Sequence, residues 1–108
     1  MKQKARRLLQ KNEAFVDLIK RLQERLGLKA FEVLDYRRAG ELDWLVIARP
    51  DDHRVSMDIN TWIPRDHFYA VLASPGPPGS KSPPRIEGVE AEGIDELAEI
   101  IQKHFRPG

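Results

Sequence analysis

Apolar residues recur at spacings of three and four near both ends of the chain, as they do on one face of an amphipathic helix. The N-terminal stripe consists of Ala5, Leu8, Leu9, Val16, Ile19, Leu22 and Leu26. Gly27 is a natural helix stop, and Asn12 before Glu13 can cap a second start, so the pattern allows a break near residue 12. The C-terminal stripe predicts a helix capped by Asp95, with the buried residues Leu97, Ile100, Ile101 and Phe105.

Segments between these helices carry the alternation and the β-branched and aromatic content of strands. Residues 31–38 are the first predicted strand, and residues 42–48 and 54–63 form a hairpin around the turn formers at 50–53. Residues 65–74 fit either a strand or a helix capped by Asp66, and their aromatic and β-branched content favours the strand. Residues 85–92 are predicted as a short edge strand.

One register of the hairpin sorts its residues by polarity. Pairing Arg49 with Arg54 places Leu42, Trp44, Val46 and Ala48 opposite Thr61, Ile59, Met57 and Val55. A slip by one residue would mix the two faces, so we expect Trp44 and its partners to face the core. The opposite face would then carry Asp43 directly across from Asn60 and diagonal to Asp58.

These elements predict an α+β fold with an antiparallel sheet of four to five strands. An N-terminal helix and a C-terminal helix are expected to pack on one face of that sheet. The 108 residues fit one domain, residues 1–108. Residues 74–84 hold five of the eight prolines and two glycines, which predicts a loop. Residues 1–11 contain five cations and no acid, a composition that allows this end to fray.

Composition restricts the classes of chemistry that this chain can perform. Cysteine is absent, which excludes disulfides, thiolate metal ligands and cysteine nucleophiles. No apolar run approaches the roughly 20 residues that a membrane-spanning helix needs. The basic N-terminal segment leads into an amphipathic helix and not into the apolar core of a signal peptide. We therefore predict a cytoplasmic protein that does not contact a membrane.

Charge is unevenly distributed along the chain, although the net charge is only +1. Residues 1–40 hold 11 Lys and Arg against 5 Asp and Glu, and residues 41–108 hold 7 against 12. Lys4, Arg7 and Lys11 project along one face of the N-terminal helix, and Arg37 and Arg38 can extend that surface. Such density of positive charge is suited to phosphates or to an acidic protein, or it is simply a solvated helix face.

One short block resembles a known family of enzymes. Gly40-Glu41-Leu42-Asp43, followed fifteen residues later by Asp58-Ile59-Asn60, is similar to the motif of restriction-endonuclease-like, or PD-(D/E)xK, nucleases. The resemblance covers about residues 30–60. It implies that Asp43 and Asp58 hold Mg²⁺, which activates water for attack on a phosphodiester. Asn60 stands where the family has lysine, and the family's fold has a helix after the third strand.

Two functions therefore remain open. The favoured prediction is a small non-catalytic interaction module without a cofactor, which binds a protein or a nucleic acid through Lys4, Arg7, Lys11, Arg37 and Arg38. The alternative is a catalytically degenerate metal-dependent nuclease, with Mg²⁺ at Asp43 and Asp58 beside Asn60. Whether residues 65–74 are strand or helix separates the two.

Overall fold

The computed structural model describes residues 2–39, 42–62, 67–76, 79, 81 and 83–106. Its elements in chain order are α1 (Gln3–Gln10), α2 (Glu13–Leu26), β1 (Glu32–Ala39), β2 (Leu42–Arg49), β3 (Asp52–Trp62), β4 (His67–Ser74), β5 (Arg85–Glu92) and α3 (Gly93–His104). The strands form one antiparallel sheet in the order β1-β2-β3-β4-β5, so each strand pairs with its neighbour in the chain. The predicted α+β fold is confirmed, and the segment over 67–74 is a strand.

The three helices cover one face of the sheet. The helices contribute to the core the buried side chains Leu9, Phe15, Leu18, Leu22, Leu97, Ala98 and Ile101. The strands contribute Tyr36, Leu45, Ile47, Val55, Met57, Ile59, Phe68, Ala70 and Ala91. In the described part of the chain no helix covers the other face, which we call the open face.

Local sequence signals explain where the helices begin and end. The N-terminal helix is broken after Lys11, and Oδ1 of Asn12 caps α2 by accepting a hydrogen bond from the backbone N–H of Phe15 at 3.2 Å. The backbone at Gly27 has φ 103°, a conformation that favours glycine. Helix α3 begins at Gly93, so Asp95 lies within its first turn and does not cap it, contrary to the prediction. A carboxylate in that turn still stabilises the helix, because its negative charge interacts favourably with the positive end of the helix dipole.

The turn of the β2–β3 hairpin is tighter than the sequence predicted. Arg49 pairs with Asp52 and not with Arg54, and the register shifts between Ala48 and Arg49. Beyond this irregularity Ala48 pairs with Ser56, whereas the predicted register pairs it with Val55. The predicted register is therefore wrong by one residue.

This offset reverses the two faces of β2. Leu45 and Ile47 pack against the helices and have no exposed surface. Trp44 and Val46 lie on the open face, and Trp44 is only partly buried. The prediction of Trp44 as a core residue is therefore wrong. Because β2 is apolar on both sides, its own pattern cannot choose a face, and the tight turn decides.

Several predictions fall outside the described ranges. They concern residue 1, the glycine and glutamate at 40–41, the turn at 63–66 with its Asp66, and the last two residues. Of the predicted loop over 74–84, residues 77, 78, 80 and 82 also lie outside the described part. Within that loop Gly79 adopts φ 76°.

Candidate binding surfaces

Asp43 lies on the helix side of the sheet, in a cluster of four polar side chains. Its Oδ2 accepts hydrogen bonds from the Tyr36 hydroxyl at 2.6 Å and from Nδ2 of Asn12 at 3.0 Å. Nε of Arg38 lies 3.3 Å from its other carboxylate oxygen. Since Asn12 also caps α2, this cluster connects the start of that helix to β1 and β2.

The pKa of Tyr36 indicates a structural role for this cluster. Burial raises the pKa of the Tyr36 hydroxyl above its ordinary value of 10.0, and the hydrogen bond to Asp43 raises it further. Loss of the proton would remove this hydrogen bond and would also place two negative charges side by side. The hydrogen bond from the Asn12 amide lowers this pKa. Tyr36 is therefore a neutral donor that holds Asp43 in place.

The predicted constellation of Asp43, Asp58 and Asn60 is divided between the two faces of the sheet. Asp58 and Asn60 lie on the open face, where they pair with Val46 and Trp44. Nδ2 of Asn60 donates a hydrogen bond at 2.7 Å to the backbone carbonyl of Asp43 and not to its carboxylate. The Mg²⁺ site implied by the nuclease resemblance needs both carboxylates on one face, and this geometry does not provide it. Among the described residues, no group of three or more His, Asp or Glu side chains is placed to hold a metal ion.

Side chains on the open face form rows that run across the sheet. The row that we call the aromatic row consists of Arg37, Trp44, Asn60, Tyr69 and Glu90. The adjacent row, which we call the central row, consists of Asp35, Val46, Asp58, Val71 and Gly88. A solvated sheet face ordinarily carries polar side chains, so these aromatic and branched residues set the open face apart.

Trp44 and Tyr69 flank Asn60 from the two neighbouring strands. Their ring centroids are 6.1 Å apart and the ring planes are inclined at 75°, an edge-to-face arrangement. Asn60 is only 3% exposed, because both of its direct neighbours are large and its amide is bonded to β2. Asn60 therefore supports the aromatic pair and does not project into solvent as a ligand.

Asp58 lies in the middle of the central row, between Val46 and Val71. Loss of hydration on burial raises the pKa of its carboxyl above the ordinary 3.8, although the Arg37 guanidinium acts in the opposite direction. Arg37 is itself paired with Asp35, at 3.2 Å. None of the described residues donates a hydrogen bond to the Asp58 carboxylate. Asp58 is thus a half-buried carboxylate that forms no ion pair with any described residue.

The cationic residues predicted to bind a partner also separate. Lys4, Arg7 and Lys11 are exposed on α1 and its C-terminal cap. Lys11 and Arg38 line one cleft of about 370 Å³ beside the start of α2. Arg37 instead belongs to the aromatic row of the open face. We therefore define the basic surface as Lys4, Arg7, Lys11 and Arg38.

Helix α1 presents this basic surface on an ordered support. Its buried residues Ala5 and Leu9 face the rest of the molecule, and α1 contacts β1. None of the described carboxylates forms an ion pair with Lys4, Arg7 or Lys11, whereas Arg38 shares Asp43. The positive charges on α1 are therefore not neutralised within the described part of the chain.

His104 and His67 each have a polar group of another element nearby. Nε2 of His104 lies 3.0 Å from the carbonyl oxygens of both Ser56 and Ala73, and it carries the proton because a carbonyl can only accept. This contact ties the end of α3 to β3 and β4, a role that the sequence did not indicate. Nε2 of His67 lies 3.7 Å from Glu90 on the neighbouring strand.

Sequence reasoning missed the aromatic row as a surface. In β3 the alternation of Val55, Met57 and Ile59 with polar residues assigned the faces correctly, and Asp58 was correctly placed away from the core. In β2 the predicted register pairs Trp44 with Ile59, whereas the structure pairs it with Asn60, so the predicted faces of β2 are wrong. Leu45 and Ile47 alternate with the equally apolar Trp44 and Val46, so the pattern of β2 alone gave no signal for its inward face.

Comparison of the chain with known protein families, with curated proteins and with solved structures found no match. No helix in the described ranges has both the length and the apolar character needed to cross a membrane. The function of the protein must therefore be inferred from its geometry and its charges.

Proposed function

We propose that this protein is a cytoplasmic, non-catalytic interaction module that binds the phosphate backbone of double-stranded nucleic acid through the basic surface. The observation that carries this proposal is the fixed array of cations on α1. Burial of Ala5 and Leu9 anchors the helix, and no described carboxylate pairs with its lysines and arginines. A helix that is already ordered loses less conformational entropy when it binds.

The composition of the basic surface favours nucleic acid over an acidic protein. The exposed residues of α1 are lysine, arginine and glutamine, and its apolar residues point inward. Protein interfaces usually have a buried apolar or aromatic centre within a polar rim. Phosphate contacts need only positive charge and hydrogen-bond donors, and the basic surface supplies both.

The same surface favours a duplex and contacts that do not depend on sequence. Proteins that bind single strands usually stack bases on exposed aromatic side chains, and the described part of α1 and its C-terminal cap contains none. The aromatic row lies on the opposite face of the sheet, next to Asp35, Asp58 and Glu90. These carboxylates repel phosphates, so the nucleic acid approaches from the α1 side alone.

The test is the binding of a mixed-sequence DNA duplex, measured by fluorescence anisotropy at several salt concentrations. The triple substitution Lys4→Gln, Arg7→Gln and Lys11→Gln removes three cations and keeps the helix propensity of α1 nearly unchanged. Each lost phosphate contact contributes about 0.9 to the slope of log affinity against log salt. We therefore expect weaker binding and a slope that is shallower by about 2.7.

A matched control removes the same charge elsewhere. Lys20→Gln, Arg85→Gln and Lys103→Gln change three exposed cations on α2, β5 and α3. This control is expected to retain most of the affinity and the steep salt slope. Equal losses in the two triple variants would show that net charge alone drives binding. If the wild-type protein does not bind the duplex, the proposal is overturned. An acidic protein would then be the remaining candidate partner of α1.

A further inference from the structure

Asp58 is a half-buried carboxylate on the open face that forms no ion pair with any described residue. Two other carboxylates of this face have partners: Asp35 is paired with Arg37, and Glu90 lies near His67. Asp58 has valines on both neighbouring strands and no hydrogen bond from the described residues. A half-buried carboxylate has already lost part of its hydration. It therefore incurs a smaller desolvation cost on binding a cation, and it attracts that cation more strongly, than a carboxylate in water does.

The neighbours of Asp58 are suited to a cation that carries apolar groups. Trp44 and Tyr69 pair directly with Asn60, which places both rings diagonal to Asp58 on the same face. Aromatic rings attract ammonium and guanidinium groups through their electron-rich faces. The partly exposed Val71 supplies apolar contact on one side of the carboxylate, and the buried Val46 lines the other side.

Gly88 allows Tyr69 to lean towards the central row. A Cβ atom on Gly88 would lie 2.5 Å from the Tyr69 hydroxyl oxygen and 3.2 Å from the ring carbon that bears it. The missing side chain therefore leaves room for the end of the tyrosine ring beside β5. In this position Tyr69 borders the central row, in which Asp58 lies two strands away from the edge of the sheet.

We propose that the open face binds a basic segment of a partner polypeptide, with one lysine or arginine side chain of that segment seated at Asp58 beside the Trp44–Tyr69 pair. Charge complementarity and the apolar surroundings identify a polypeptide as the occupant. A free polyamine carries several charges and little apolar surface, whereas Asp58 is a single carboxylate that has no ion pair with a described residue and is flanked by valines. Ile86, 71% exposed beyond the central row, adds apolar contact for neighbouring residues of the segment.

The probes are three compounds titrated into the isotope-labelled protein and followed by NMR. They are the peptide acetyl-Leu-Lys-Leu-amide, the same peptide with norleucine in place of lysine, and spermidine. We expect saturable shifts at the indole N–H of Trp44 and at the backbone amides of Asp58 and Tyr69 with the lysine peptide. The norleucine peptide is expected to bind about tenfold more weakly or worse, because it lacks the charge-assisted contact.

Two variants test the site from different directions. Asp58→Asn removes the charge and is expected to weaken binding of the lysine peptide about tenfold or more, while leaving the norleucine peptide unaffected. Gly88→Ala displaces Tyr69 and is expected to weaken both peptides. The matched control is Glu87→Gln, an exposed carboxylate of β5 that pairs with Leu72 on the other face.

The outcomes are decisive in either direction. Equal affinity for the lysine and norleucine peptides, or an Asp58→Asn variant that binds as the wild type does, would overturn the proposal. Spermidine that binds at Asp58 as tightly as the peptide would overturn the choice of a polypeptide. Neither result depends on the duplex-binding proposal, because Asp58→Asn is not expected to weaken binding of the DNA duplex to α1.

Discussion

At the scale of single residues, neighbouring side chains of β2 contribute differently to stability. Leu45 is fully buried between the sheet and the helices, whereas Trp44 rests on the open face against Tyr69. A side chain enclosed on all sides leaves a cavity when it is shortened, and one on an uncovered face leaves space that water can fill. The larger residue is therefore not the more important one for folding.

Leu45→Ala is expected to lower the free energy of unfolding by about 2–5 kcal/mol, as is usual for a buried leucine. Trp44→Ala is expected to cost less, because it removes one edge-to-face pair and a side chain that already reaches solvent, so water can fill the space left behind. Urea unfolding followed by far-ultraviolet circular dichroism measures both. A greater loss for Trp44→Ala than for Leu45→Ala would contradict the observed register and support the one that the sequence predicted.

At the scale of elements, the junction between α1 and α2 depends on one side chain that serves both the helix and the sheet. Asn12 accepts a hydrogen bond from the backbone of α2 and donates from Nδ2 towards Tyr36 and Asp43, at 2.9 and 3.0 Å. An asparagine offers both functions at once, and serine or aspartate would offer different combinations. The break in the N-terminal helix is therefore also a point of attachment.

Asn12→Ala is expected to destabilise the protein by about 1–2 kcal/mol, since the cap of α2 is lost. Asn12→Asp keeps the capping acceptor but places a second carboxylate beside Asp43. At a solvated helix start asparagine and aspartate are almost equivalent caps, so a clear loss in Asn12→Asp at pH 7 would report the contact with Asp43. Thermal unfolding measures both variants. An Asn12→Asp variant as stable as the wild type would show that the contact contributes nothing.

At the scale of the whole molecule, positive charge is concentrated on α1, and several carboxylates lie on the open face of the sheet. The radius of gyration is 13.7 Å, close to the roughly 13 Å expected of a packed chain of this length, although none of the described helices covers the open face. The basic surface lies on the side of α1, and the open face carries Asp35, Asp58 and Glu90. The two proposed binding surfaces therefore share no residue.

Two carboxyl groups of β3 are expected to change the stability with pH in opposite directions. Hydrogen bonds from Arg54 hold the pKa of Asp52 at about 2, below the ordinary 3.8, so the folded state binds protons less readily there than the unfolded state. That contribution is present above pH 3.8 and is lost as the pH falls towards 2. Burial raises the pKa of Asp58, so the folded state binds that proton more readily and loses stability as the pH rises above 3.8.

Urea unfolding of the wild type, Asp52→Asn and Asp58→Asn at pH 3, 5 and 7 tests this expectation. Relative to the wild type, Asp58→Asn is expected to become more stable as the pH rises, because its neutral amide avoids the cost of a buried charge. Asp52→Asn is expected to become relatively less stable over the same range. Differences that move in the same direction for both variants would show that Asp58 is well hydrated in the folded protein.

The sequence alone determined the fold class and nearly all of the elements, because the spacing of apolar residues reflects which positions a helix or strand can bury. It also determined the faces of β3, where Val55, Met57 and Ile59 alternate with polar residues, and it identified Asn12 as a helix cap. The faces of β2 were decided only by the tertiary structure. That strand is apolar on both sides, and the shift at Arg49 moved Asp43 to the helices and Trp44 to the open face. Register depends on the geometry of the turn and on packing across all five strands, and neither is contained in the pattern of one strand.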